Sequence, residues 1–256
     1  MLAVTSPPQE PTELQEHIAS TYFATRLWLA IVAIALPIVL SVGGWLWAGL
    51  ELQGSLSQYY HATMSERSMR NWFVGALFVL SALLYLYKGF SATENRLLNV
   101  AGIATLLVAL VPTQKDCGEN CSLLTLHGVS AITAFACIGI VAWRCASDTL
   151  KLVRDEKARR RYARTYRLLA TALFLSPVAA FALTQILGRQ ATLIFFTETL
   201  GMAAFATYWA AKSMELQRTR ADYLALEGAM EAVPKGAVVG RPGASAPLAA
   251  AAGERS

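Results

Sequence analysis

Of the 256 residues, 55% are hydrophobic and only 15% are charged, with a net charge of +5 and a mean hydropathy of +0.42. A water-soluble domain of this size carries about 25% charged residues, so the composition excludes an ordinary soluble enzyme and points to lipid as the solvent. The charge is also unevenly spread: long apolar runs carry none, and one stretch between two such runs is crowded with arginine.

Residues 1–25 are polar and acidic, with Glu10, Glu13 and Glu16. A cleaved secretory signal begins basic and ends at a small-residue site, so this stretch is expected to be a polar N-terminal arm before a retained anchor. A helix needs roughly 20 mainly apolar residues to cross a hydrocarbon core about 30 Å thick. Six such segments follow, at about 26–49, 71–90, 97–113, 123–145, 166–187 and 191–211. The third is short and ends at Pro112 and Thr113. Trp28, Trp45, Trp47, Trp72, Trp143 and Trp209 fall near the ends of these segments, where aromatic rings bridge lipid and water. The sequence therefore predicts an all-α integral membrane protein, a bundle of about six transmembrane helices over 26–212. Pro37 and Pro177 are expected to kink the first and fifth spans. Gly43, Gly44 and the small residues from Gly128 to Gly139 mark close helix packing. Residues 213–232 keep a helical pattern and read as a cytoplasmic helix. Residues 233–256, rich in Ala, Gly and Pro, bury too little to offset chain entropy and are expected to be disordered.

Orientation follows from the basic residues. With the N-terminus inside, eighteen of the 22 Lys and Arg fall in inward segments, and only Arg67, Arg70, Lys115 and Arg189 fall outside. Both termini are thus expected in the cytoplasm, with the chain in the inner membrane. The inward stretch 148–167, with Arg159, Arg160 and Arg161, enforces that topology and can attract anionic lipid headgroups. Nothing resembles a groove-reading or base-stacking module, so no nucleic-acid partner is expected. Cys117 and Cys121 lie in the outer third-to-fourth connection, either as free thiols or as a staple across a small loop. Their C-x-x-x-C spacing is not that of thiol oxidoreductases. Cys137 and Cys145 read as packing residues.

Ionisable groups inside hydrocarbon are costly, and each needs a reason. With a rise of about 1.5 Å per residue, His127 lies about 6 Å and Glu198 about 10 Å below the outer face. Thr184 and Gln185, at the end of the fifth segment, join that level. The connection Ser55-Leu56-Ser57-Gln58-Tyr59-Tyr60-His61 brings hydroxyls, phenols and an imidazole to the same face. Arg70 stands at the outer lip of the second segment, placed to pair with Glu198 or Asp116, to recruit an anionic group, or to snorkel. Ser57, Tyr60, His61, Arg70, His127, Gln185 and Glu198 are therefore the candidate ligand-binding residues. His61, His127 and Glu198 are also a candidate set of ligands for a divalent metal, with zinc the obvious choice for two imidazoles and a carboxylate. A simpler role for Glu198 is that of a protonated or hydrogen-bonded side chain that ties two helices together.

The run Ser55 to His61, the following Arg70-x-x-Phe73-Val74-Gly75, and Glu198 followed by Phe205 and Trp209 resemble an uncharacterised group of bacterial six-span membrane proteins over roughly 50–212. More distantly, Ser57-Gln58-Tyr59-Tyr60-His61 is similar to the Ser-x-x-x-His motif of the CREST superfamily of membrane hydrolases, which includes alkaline ceramidases and adiponectin-receptor-like proteins. Those hold zinc for amide hydrolysis with that motif, an Asp and a later His-x-x-x-His. This chain has three His and none in its last span, so Glu198 or His127 would stand in for the later pair.

The first expectation for function is a membrane protein with a small-molecule or lipid pocket opening to the outer leaflet. The alternative is a metal-dependent lipid hydrolase, and a small transporter ranks third, because neither a repeat nor interrupted helices are evident. The first two require His127 and Glu198 to face one cavity, and the hydrolase also needs His61 within metal-bond reach.

Overall fold

The structure, a computed structural model, describes residues 12–64, 67–114, 125–188 and 192–226. Each of the six expected apolar segments is a helix: α1 (Glu13–Ala48), α2 (Arg70–Leu86), α3 (Ala92–Leu110), α4 (Leu126–Leu150), α5 (Glu156–Leu187) and α6 (Thr192–Thr219). A short α7 (Ala221–Leu226) follows a turn at Arg220, which adopts a positive φ of 52°. Between α1 and α2 the chain makes a 3-10 turn (Ser57–Tyr60) and a two-residue antiparallel ladder, Thr63–Met64 with Arg67–Ser68. Cys117, Cys121, residues 1–11 and the tail from 227 lie outside the described residues.

The helix boundaries have local causes. Helix α1 begins well inside the expected polar arm, because Thr12 and Gln15 form a capping box: each side chain accepts the other's backbone N–H. A π-helical turn (Val39–Gly43) interrupts α1 just after Pro37, which lacks the N–H needed to continue the ladder. Ser41 donates its hydroxyl to the carbonyl of Pro37 at 2.6 Å. Ser91, Thr125 and Asp155 cap α3, α4 and α5 by accepting N–H groups of their first turns. The basic stretch before the fifth apolar segment is helical from Glu156 onward, and α5 runs through it without a break. Likewise α6 does not stop at the end of its apolar run, and it continues to Thr219 with Ser213, Glu215 and Leu216 buried.

The six long helices close into a ring in chain order, α1 packing on α2, each on the next, and α6 returning to α1. Neighbours run antiparallel: short connections follow α2, α4 and α5, and Arg26 in the first half of α1, Tyr87 just past α2, Glu94 at the start of α3 and Thr149 at the end of α4 all gather at one end of the bundle. One end of the bundle therefore carries the loops after α1, α3 and α5. The other carries the start of α1, the turns after α2 and α4, and the end of α6. Small residues set the close contacts. A Cβ on Gly102 would lie 3.0 Å from the backbone of Ser81 and Tyr85, and Ser81 donates to the Gly102 carbonyl at 2.8 Å. Gly139 faces the Phe174 ring and Gly44 faces Tyr59.

Helices α1, α4 and α5 are long and apolar enough to cross a membrane, each containing an 18-residue stretch with a mean hydropathy of 2.4, 1.8 and 1.7 respectively, and α2 is a shorter apolar helix. Large apolar side chains cover the outside of the bundle, among them Trp45, Leu86, Leu168, Ile186 and Leu200. A belt of that kind is untenable in water and is what a membrane protein presents to lipid. Trp209 departs from the expected interfacial pattern: it is buried, with its ring 5.1 Å from that of Tyr87.

Candidate functional site

At the end carrying the loop after α1, a cavity of about 230 Å³ opens among all six helices. Leu36, Phe73, Val108, His127, Gln185 and Glu198 represent the six in its wall, and Ser55, Leu56, Ser57 and Gln58 close over it. Of the seven residues expected from sequence, Ser57, His127, Gln185 and Glu198 line this cavity.

Glu198 is half-buried and anchors the loop. Its Oε2 accepts the Leu56 N–H at 2.7 Å, and the Ser57 N–H also donates to the carboxylate. The reason is local: the 3-10 turn at Ser57 leaves its first N–H groups without partners inside the turn, and a carboxylate is the strongest acceptor for them. The tie expected between two helices is instead one from a helix to a loop, because Glu198 bonds the Leu56 and Ser57 backbone. A carboxylate has about four lone-pair sites, so it keeps acceptor capacity toward the cavity.

His127 is buried in the first turn of α4. Its Nδ1 lies 2.7 Å from the Val111 carbonyl. A carbonyl only accepts, so Nδ1 carries a proton, and in the neutral form of the ring the lone pair is on Nε2. That Nε2 is buried and has no hydrogen-bond partner among the described residues.

Tyr60, His61 and Arg70 form a brace at the rim and do not line the cavity. His61 Nε2 lies 2.7 Å from the Thr113 carbonyl, and its ring meets Tyr60 edge-on at 5.2 Å. Arg70 donates to the Tyr60 hydroxyl at 2.6 Å, with its guanidinium 4.3 Å from that ring. Arg70 thus pairs with Tyr60 and not with Glu198; Asp116 lies outside the described residues. Among the described residues no three His, Cys, Asp or Glu side chains come together in a way that could hold a metal ion. His61 and Glu198 each engage backbone instead, so the residues foreseen for zinc do not fit it in this arrangement.

The opposite end holds a polar centre that the sequence analysis placed in solvent. Lys212 and Glu215 are both buried on α6, 3.2 Å apart. Thr149 donates to Glu215 Oε1 at 2.6 Å, Tyr166 donates to Oε2, and Lys212 donates to the Thr149 hydroxyl. Glu94, equally buried, accepts the Phe90 N–H at 2.9 Å. Burial pushes its carboxyl above the usual range, while the Lys212 ammonium pulls it down. Beside this centre Arg26, fully buried, grips Asp222 of α7 through two bonds of 3.0 and 2.6 Å and reaches the Tyr87 hydroxyl. Arg26 and Lys212 are thus internal pairing groups, although both sit where solvated topology signals were expected. One signal was available: Tyr208, Trp209, Lys212, Glu215 and Leu216 fall on a single helical stripe.

Comparison with family models, with curated proteins and with solved structures gives no match.

Proposed function

We propose that this chain is a six-span protein of the inner membrane, with both termini cytoplasmic, whose cavity binds a small molecule or lipid entering from the outer leaflet. One observation carries the reading: His127 and Glu198, far apart in sequence, line the same cavity, and the buried His127 Nε2 has no hydrogen-bond partner among the described residues. A buried polar atom left unpaired costs about 1–3 kcal/mol, and a ligand donor would recover that cost. The orientation is supported by the basic residues, which stay heavily biased to the inward end after Arg26 and Lys212 are set aside as internal.

The test is to purify the full chain in lipid nanodiscs and identify co-purifying small molecules by mass spectrometry. A molecule enriched with the native chain, and lost from both His127→Ala and Glu198→Gln, is the expected result. Folded native protein whose small-molecule content matches both variants would overturn the reading.

A further inference from the structure

The cavity is graded from polar to apolar along the bundle axis. Leu77, Val108, Ala131, Phe135 and Met202 line its inner wall and also line a second, narrower slot of about 70 Å³. That slot runs on toward Leu84, Ile138 and Phe205. Leu77 to Leu84 spans about 10 Å along a helix at a rise of about 1.5 Å per residue. Thr105 is the single hydroxyl in the slot wall, and it donates to the Ala101 carbonyl of its own helix at 2.8 Å. The slot therefore offers an occupant no polar group.

The polar end has a matching bias. Two of its groups offer acceptor sites, the Glu198 carboxylate and, in the neutral ring, His127 Nε2, and no Lys or Arg is among the described residues that line it. An acidic headgroup would meet a carboxylate with no compensating cation among the described lining residues, whereas a hydroxyl, amide N–H or amine would supply a donor. The slot is a continuation of the cavity, and its volume of about 70 Å³ is too small for both chains of a paired-chain lipid.

Resting on the ligand-binding reading above, we infer that the occupant is a single-chain amphiphile with a hydrogen-bond-donating, non-anionic head held by Glu198 and His127 and its tail in the slot toward Leu84, Ile138 and Phe205. The membrane supplies such molecules directly. The polar loop 55–58 closes over the head, and the apolar wall sorts tails by length and number.

The experiment uses the full chain in phosphatidylcholine nanodiscs with three photoreactive probes: dodecylamine, dodecanol and dodecanoate, each carrying a diazirine at the tail end. Labelled positions are mapped by peptide mass spectrometry. The amine and alcohol probes should label Leu84, Ile138 or Phe205, at least about tenfold more than the acid probe, the ratio that corresponds to 1.4 kcal/mol. Ala134→Phe, which fills the slot, should suppress that labelling, while Gly75→Ala, whose added methyl meets nothing within 4 Å, should not. Labelling confined to lipid-facing Trp45, Leu86 and Ile186, or equal labelling by all three heads, would overturn the inference. A short diazirine-bearing propanolamine separates the two ideas. If it labels Ser57 or His127 while the slot stays unlabelled, the cavity binds ligand and the tail assignment is wrong. If neither region is labelled, the ligand-binding reading falls as well.

Discussion

Replacing Lys212 with methionine removes the ammonium from a buried group that also contains Glu215 and Glu94. Lys212 is 2% exposed and Glu215 is fully buried, so water cannot take over the lost interaction. Removing one partner of a buried ion pair costs about 3–5 kcal/mol, because the other charge is left uncompensated. The cost should sit at the upper end here, since two carboxylates depend on one ammonium. Glu215→Gln is the milder change: Lys212 still reaches the Thr149 hydroxyl and still faces Glu94. Its cost should be about 1.5–3 kcal/mol, the worth of a hydrogen bond to a charged group. The triple variant Lys212→Met, Glu215→Gln, Glu94→Gln removes the three charges, keeps an amide oxygen for the Thr149 and Tyr166 hydroxyls, and should regain much of the stability that Lys212→Met loses. Equilibrium unfolding of the detergent-solubilised protein in SDS, followed by circular dichroism, would measure all three. A Lys212→Met protein within about 0.5 kcal/mol of the native one, the usual range for surface substitutions, would show that this centre is solvated and the packing argument wrong.

Three further outcomes are expected. Gly102→Ala should destabilise by about 1–3 kcal/mol, because the new methyl meets backbone of α2 at 3.0 Å, while Gly75→Ala should be silent; thermal unfolding of the pair checks this. Asp222→Asn removes the charge from the Arg26 pair that holds α7 against α1, so trypsin should cut at Arg218 and Arg220 markedly faster, with cleavage in the rest of the chain unchanged. Neutralising Arg160, Arg161 and Arg164, which project from the first turns of α5, should reduce anionic-lipid enrichment around the purified protein, since each basic side chain near a headgroup surface is worth about 1 kcal/mol; lipid mass spectrometry at low and high salt would read it.

The helices and half of the candidate site could be read from the chain for physical reasons. Apolar runs of sufficient length located all six long helices, and a rise of about 1.5 Å per residue was enough to bring His127, Gln185 and Glu198 to one level. His61 could not be placed the same way. Its ring is oriented by a carbonyl 52 residues away, and such a contact leaves no trace in local spacing. The early start of α1 was legible in hindsight, because Thr12-x-x-Gln15 is a capping-box pattern. The Lys212–Glu215 centre was missed for a different reason. Charges just beyond an apolar run ordinarily meet water, and only the partners Thr149, Tyr166 and Glu94, contributed by three other helices, keep these inside.

The central claim, a bundle with its cavity facing outward and its arginine-rich end inward, is tested most directly by cysteine accessibility in intact expressing cells. Cys117 and Cys121 are first changed to serine, and a membrane-impermeant maleimide is then applied to Ser57→Cys at the cavity and Arg154→Cys at the opposite end. The account predicts labelling of Ser57→Cys in intact cells and of Arg154→Cys only after the membrane is permeabilised. The reverse order, or equal labelling at both positions in intact cells, would contradict it.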